Sequence, residues 1–132
     1  MPQRRFSLEE AQALLPRLST IMAEVQSLKR QHDVFQEKAA ELGAKMKGNG
    51  HLPDPGLQQA RAGLERTATE INERIQQVHE LGCEVKDLDT GLLDFRSERE
   101  GREVYLCWQL GEERIAWWHE LNTGFASRQP LD

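Results

Sequence analysis

REVYLCWQLGEERIAWWHEL, residues 102–121, is the stretch that decides the fold of this chain. It contains all three tryptophans, the only tyrosine and one of the two cysteines. Apolar and polar residues alternate over Glu103–Leu110 and again over Arg114–Leu121, which is the pattern of β-strands. Gly111 begins a short polar turn between them. We therefore expect two antiparallel strands here.

The aromatic residues of this stretch have two possible roles. Rigid aromatic side chains are common in binding sites, so they could line a ligand or partner surface. They could equally form the core between a sheet and a helix. Because Trp117 and Trp118 are adjacent in a strand, their side chains should point to opposite faces, and one of them should lie outside that core. The candidate surface residues are Tyr105, Trp108, Trp117 and Trp118.

Two shorter segments precede this pair of strands and complete a small sheet. Cys83–Asp87 and Leu92–Phe95 have the composition of short strands, and Ser97–Gly101 has that of a charged turn. We expect residues 83–132 to form a small antiparallel β module with an irregular tail, which is anchored by Phe125.

The N-terminal part of the sequence has the pattern of a long helix. Ser7 and Glu10 are spaced as a capping box at its start. Apolar positions then recur in alternating steps of four and three, which predicts a coiled-coil-like seam. Pro16 should kink this helix or separate a short first helix from the rest. The seam positions are Leu14, Leu18, Ile21, Val25, Leu28, His32, Phe35, Ala39, Leu42 and Met46.

A glycine- and proline-rich loop over Gly48–Gly56 ends this helix, and a second helix is expected over Leu57–Leu81. A short loop implies an antiparallel return, so residues 6–82 should form a helical hairpin. Because the second helix is the shorter one, the N-terminal part of the first needs another partner, for which the β module is available. The predicted fold class is α+β, in a single domain over residues 1–132.

Charge and composition exclude several classes of function. Residues 1–82 carry 11 basic and 11 acidic side chains, whereas residues 83–132 carry 6 and 11, so the net charge of -5 lies in the β module. An acidic module argues against a nucleic-acid partner. No apolar run approaches the roughly 20 residues of a membrane span. Two cysteines give no disulfide framework, so we expect a cytoplasmic protein.

Four segments resemble a known family. VKDLDTGLLDF at Val85–Phe95, GREVYLCWQLGE at Gly101–Glu112 and WHELNTGFASRQPL at Trp118–Leu131 are similar to the bacterial family catalogued as domain of unknown function 2203. FSLEEAQALLPRL at Phe6–Leu18 is similar to that family's opening. The resemblance implies a fold shared with the family over essentially the whole chain. It implies no activity or functional residue, because the family has none established.

The β module concentrates side chains that could bind a metal ion. One histidine with two or three carboxylates would suit Mn, Fe or Zn. Two aspartates two positions apart in an extended segment would point to the same side. A histidine next to a glutamate needs a bend to reach a common site, and surface carboxylates beside a hydrogen-bonded histidine are the alternative. The wider set of potential ligands includes Glu84, Asp94 and Cys107. The residues singled out are Asp87, Asp89, His119 and Glu120.

Two hypotheses of function follow. A two-helix hairpin buries only one stripe per helix, so a second copy should complete its core in a homodimer. The protein would then be a non-enzymatic, self-associating interaction or scaffold protein. The alternative is a divalent-metal-binding protein, or a metal-dependent hydrolase, with its site in the β module.

Overall fold

The structure is a computed structural model that describes residues 4–48 and 54–131. The chain is an α+β protein with a long helix, a further helix packed against it, and a five-stranded antiparallel sheet. No helix within the described residues is long and apolar enough to cross a membrane. The helices are α1 (Leu8–Ala13), α2 (Leu15–Gly48) and α3 (Pro55–Glu80).

The capping box predicted at the N-terminus is present in α1. The Ser7 hydroxyl accepts a hydrogen bond from the Glu10 amide at 3.1 Å, and the Glu10 carboxylate accepts one from the Ser7 amide at 2.9 Å. Pro16 has no N–H to donate and its ring would crowd the preceding turn, so the helix is interrupted at Leu14. Of the two possibilities that the sequence left open, the structure has the separate short helix.

The predicted loop over Gly48–Gly56 lies partly outside the described residues, which omit 49–53. α3 begins at Pro55, a position where the missing N–H of proline is no loss. Asp54 caps the helix by accepting a hydrogen bond from the Gly56 amide at 2.8 Å.

The seam of α2 has two different partners along its length. Leu18 and Val25 are fully buried in a core that they share with the sheet, whereas Phe35 is half-buried against α3. At Gly63 of α3 an added Cβ would lie 2.6 Å from the Phe35 ring, so the two helices approach closely there. The side chain of the last seam position, Met46, lies outside those that the structure describes.

The five strands lie in chain order, and each pairs antiparallel with the next. A 3-10 turn over Phe125–Ser127 precedes the last strand, so the predicted irregular tail ends in an edge strand. The strands are β1 (Glu84–Asp87), β2 (Leu92–Arg99), β3 (Arg102–Gln109), β4 (Trp117–Glu120) and β5 (Gln129–Pro130).

The predicted turn over Ser97–Gly101 is shorter in the structure, because β2 continues to Arg99. The Ser97 side chain is buried and its hydroxyl donates a hydrogen bond to the Phe6 carbonyl at 2.6 Å. The Phe6 amide donates to the Arg96 carbonyl at 2.8 Å. The segment before α1 is therefore hydrogen-bonded to β2, and this long-range contact could not be predicted from the charged composition of Ser97–Gly101.

One face of the sheet forms the core with the helices. The register sets Leu106 opposite Trp118, and both belong to this core. Alternation sends Tyr105 and Cys107 to the opposite face, called the outer face below. The core residues are Phe6, Ala11, Leu15, Leu18, Ile21, Met22, Val25, Val78, Cys83, Leu93, Phe95, Val104, Leu106, Trp108, Ile115 and Trp118.

Candidate functional site

The outer face of the sheet carries a cluster of three buried polar side chains. Asp94, Cys107 and His119 have exposed fractions of 2%, 0% and 2%. One potential ligand atom from each lies within 4.8 Å of the other two. They come from β2, β3 and β4, and the register sets Asp94 directly opposite Cys107. Three neighbouring strands thus converge on one polar site.

The backbone fixes the orientation of the His119 ring. Its Nδ1 lies 2.8 Å from the Glu120 carbonyl oxygen. A carbonyl can only accept, so Nδ1 carries the proton and donates. The other ring nitrogen, Nε2, then faces the Asp94 carboxylate, with 2.9 Å between Nε2 and Oδ2. Histidines that bind metals hold their second nitrogen in this way, commonly on a backbone carbonyl.

The Asp94 carboxyl is incompletely satisfied by its surroundings. Its Oδ1 is buried and has no hydrogen-bond partner among the described residues. Burial raises the pKa of Asp94, and the hydrogen bond with His119 opposes that shift. A buried carboxylate oxygen without a partner is unfavourable unless a proton or a cation compensates it.

The Cys107 thiol is protonated at neutral pH in the metal-free site. Burial raises its pKa to about 11, and the charge of Asp94 adds to this effect. A protonated thiol is a poor nucleophile and a poor metal ligand, since the thiolate is the reactive form. A bound metal ion would instead hold the sulfur as thiolate. Thiolate, imidazole and carboxylate are together a donor set that suits Zn²⁺.

The outer face is covered by its own aromatic and basic side chains. The Tyr105 ring lies 5.3 Å from the His119 ring between centroids. Trp117, opposite Cys107 in the register, lies under the Arg128 guanidinium at 4.7 Å from the ring centroid. Arg128 also stacks on Phe125 at 4.2 Å, so the C-terminal tail closes over this edge of the cluster.

The four aromatic residues proposed as one surface do not share a surface. Trp108 and Trp118 are 1% and 7% exposed and belong to the core. Tyr105 and Trp117 lie on the outer face beside the cluster. The sheet separates the two pairs, as strand alternation requires.

The sequence grouped Asp87 and Asp89 with His119, but Asp87 is the last residue of β1 and Asp89 lies in the turn between β1 and β2. The Asp87 carboxylate accepts hydrogen bonds from the Asp89 amide at 3.1 Å and from the Thr90 hydroxyl at 2.9 Å. The Asp89 carboxylate lies 3.6 Å from the Lys29 ammonium group. Both carboxylates therefore have local partners. The carboxylate that contacts His119 belongs to Asp94 instead.

Glu120 contributes to the site through its backbone rather than its side chain. Alternation turns its carboxylate to the face opposite His119, where it pairs with Arg102 at 2.9 Å. Of the predicted group of Asp87, Asp89, His119 and Glu120, the structure therefore places only the His119 side chain in the 4.8 Å cluster, together with Asp94 and Cys107.

Fold and cluster together define a small α+β protein with a buried Asp-Cys-His site on the outer face of its sheet. A family model described as "Uncharacterized conserved protein (DUF2203)" matches residues 4–131, and the chain belongs to that family. The comparisons with curated proteins and with solved structures both gave no match. The resemblance seen in the sequence is thereby confirmed, and function has to be argued from the cluster.

Proposed function

We propose that this protein binds a divalent transition-metal ion through Asp94, Cys107 and His119. The observation that carries the proposal is the orientation of the His119 ring. Its Nδ1 is held by the Glu120 carbonyl, so Nε2 faces the other two side chains within the 4.8 Å cluster. Of Mn, Fe and Zn, the presence of a thiol favours Zn²⁺, because Mn²⁺ prefers oxygen ligands.

A metal ion would resolve the electrostatic problem of this cluster. It would compensate the buried Asp94 carboxylate, whose Oδ1 has no partner among the described residues. It would also replace the proton that Cys107 otherwise retains. Because binding has to displace this proton, affinity for the metal should rise with pH.

The proposal is tested by elemental analysis of untagged protein taken from the main gel-filtration peak. We expect about one Zn²⁺ per chain, as for other single zinc sites. The ion should be lost in Asp94→Asn, Cys107→Ser and His119→Ala. The matched controls, Asp89→Asn in the β1–β2 turn and His79→Ala on the exposed side of α3, should retain it.

Melting temperature provides a second readout. An ion that binds only the folded state stabilises that state, so a chelator should lower the melting temperature of the wild-type protein. The three site variants should not respond to the chelator. A wild-type protein that holds no metal after incubation with Zn²⁺, and that melts identically with and without chelator, would contradict the proposal.

Self-association of the two long helices is a second candidate function. It is supported by Val34 on the far part of α2, whose side chain is 64% exposed. The seam there is half-buried against α3, without the sheet that covers Leu18 and Val25. A second copy could cover this part as a coiled-coil-like pair of helical hairpins. The protein would then act as a cytoplasmic scaffold, with or without an ion in the sheet.

A further inference from the structure

Glu84 lies beside the cluster of Asp94, Cys107 and His119 without belonging to it. It is the first residue of β1, and the register sets it directly opposite Asp94. Directly opposed residues of an antiparallel pair have Cβ atoms about 4.5–5.5 Å apart and share a face of the sheet. Glu84, Asp94, Cys107 and His119 therefore supply one polar side chain from each of four adjacent strands, all on the outer face.

The carboxylates of Glu84 and Asp94 each have one oxygen that lacks a hydrogen-bond partner among the described residues. Glu84 Oε2 and Asp94 Oδ1 are both buried, and neither has a hydrogen-bond partner among the described residues. The other oxygen of Glu84, Oε1, lies 3.8 Å from the Lys86 ammonium group. Two neighbouring carboxylates repel each other unless a proton or a cation lies between them. A divalent cation would satisfy both free oxygens at once.

We propose that Glu84 is the fourth ligand, so that protein atoms alone complete a tetrahedral and structural metal site. This inference rests on the proposed binding of metal by the other three side chains. Sites with four protein ligands are typical of structural zinc, whereas catalytic zinc keeps one position for water. The near-complete burial of Asp94, Cys107 and His119 is also more typical of a structural site than of one that is open to a substrate.

Glu84 is also placed to move onto the ion. It lies outside the 4.8 Å group, but its side chain is 32% exposed and stands on the edge strand β1. Rotation about its side-chain bonds is therefore less restricted than for the three buried ligands. Once coordinated, it would join β1 to the three strands that follow.

An ion pair between Glu84 and Arg96 is the competing explanation. The Nε of Arg96 is another buried atom without a hydrogen-bond partner among the described residues. Arg96 stands on β2, two residues beyond Asp94. A Glu84–Arg96 pair would stabilise the protein whether or not a metal is bound, and salt would weaken it.

Cobalt binding to the full-length protein distinguishes these possibilities. Metal-free protein is titrated with Co²⁺, whose visible absorption is intense in tetrahedral sites and weak in sites of higher coordination. The wild type should show the intense bands, together with a sulfur-to-cobalt transition that Cys107→Ser removes. Glu84→Gln should bind Co²⁺ at least about tenfold more weakly, since even outer-shell partners contribute about 10–100-fold. Its visible bands should also change in position as water replaces the carboxylate in the fourth position.

Two further variants separate coordination from charge. Glu84→Asp keeps the charge but shortens the side chain, so it should also lose affinity if Glu84 is a ligand. Glu98→Gln removes an exposed carboxylate from β2 and should leave affinity and spectrum unchanged. Hydrogen exchange adds a structural readout, because Zn²⁺ should slow exchange of the β1 amides in the wild type and not in Glu84→Gln.

The outcomes for Glu84 and for the metal site itself are distinguishable. If the wild type binds neither Co²⁺ nor Zn²⁺, both the proposed metal site and the role of Glu84 as a ligand are contradicted. If Asp94→Asn, Cys107→Ser and His119→Ala abolish binding while Glu84→Gln matches the wild type in affinity and spectrum, the metal site stands. The fourth position then belongs to water, and Glu84 is not a ligand.

Discussion

Asp94, Cys107 and His119 lie on the face of the sheet opposite the helices, yet they are as buried as the core. Long neighbouring side chains cover this face, because Arg128 stacks on the rings of Trp117 and Phe125. Burial of polar groups is unfavourable unless each finds a partner. The stability of the cluster therefore depends on a proton or a cation that compensates the buried Asp94 carboxylate.

Cys83, the second cysteine, gives a pH-dependent prediction that is separate from the proposed metal site. It is 2% exposed in the core, and burial raises the pKa of its thiol from the usual 9.0 to about 12. Below pH 9 the thiol is protonated in both states. Above pH 9 the unfolded chain loses this proton and the folded chain keeps it, so the free energy of unfolding should fall by about 1.4 kcal/mol per pH unit from this group.

Urea unfolding at pH 8 and at pH 10.5 measures this effect, with chelator present in every sample. The wild type should lose more stability between the two pH values than Cys83→Ala does, whatever the difference between them at pH 8. Equal pH dependence in the two proteins would show that the Cys83 thiol ionises alike in the folded and unfolded states.

At the scale of secondary-structure elements, α2 and α3 approach closely where Gly63 meets Phe35. A Cβ at Gly63 would lie 2.6 Å from the ring, which is closer than packed atoms tolerate. The Arg66 guanidinium lies over the same ring at 5.5 Å from its centroid. Glycine at this position allows the aromatic ring of one helix to lie on the backbone of the other.

Replacing two helical glycines by alanine should have opposite effects. Gly63→Ala should destabilise the protein by about 1–3 kcal/mol, the usual range for overpacking, because the Phe35 ring has to move. Gly43→Ala in α2 meets no atom within 4 Å and should stabilise the protein by about 0.5–1 kcal/mol. Chemical denaturation measures both, and a stabilising Gly63→Ala would contradict the packing described here.

The elements themselves were largely predictable from local patterns. The Ser7 capping box, the interruption near Pro16 and the opposite directions of Trp117 and Trp118 all follow from short-range rules. The cluster depends instead on the register that sets Asp94 opposite Cys107. Register reflects turn geometry and the way a strand packs, which local composition does not determine.

For that reason the sequence identified His119 and missed its partners. Asp87 and Asp89 were chosen for their spacing, which describes a single strand, whereas Asp94 reaches His119 across the sheet from β2. Asp94, Cys107 and Glu84 were in the wider set of potential ligands, but spacing alone gave no reason to prefer them. A strand alignment that matched buried polar residues across neighbouring strands could have found them.

At the scale of the whole molecule, the two long helices extend beyond the part of α2 that the sheet covers. We expect the protein to be a dimer by light scattering at micromolar concentration, because a pair of helices alone buries little apolar surface. Val34→Lys should shift it toward the monomer, since a charge would enter the shared apolar surface. Gln77→Lys, at an exposed position near the other end of the helix pair, is the control. A monomeric wild-type protein would contradict self-association.

The core joins residues that are far apart in the chain, since Leu18 and Met22 pack in one cluster with Trp108 and Trp118. During biosynthesis, α2 leaves the ribosome well before the strands that cover it, at about 5–20 residues per second. Its apolar side is exposed to solvent during that interval, in which the nascent chain is prone to aggregate. The sheet, whose strands pair in chain order, then needs only local contacts to form and can end this exposure quickly.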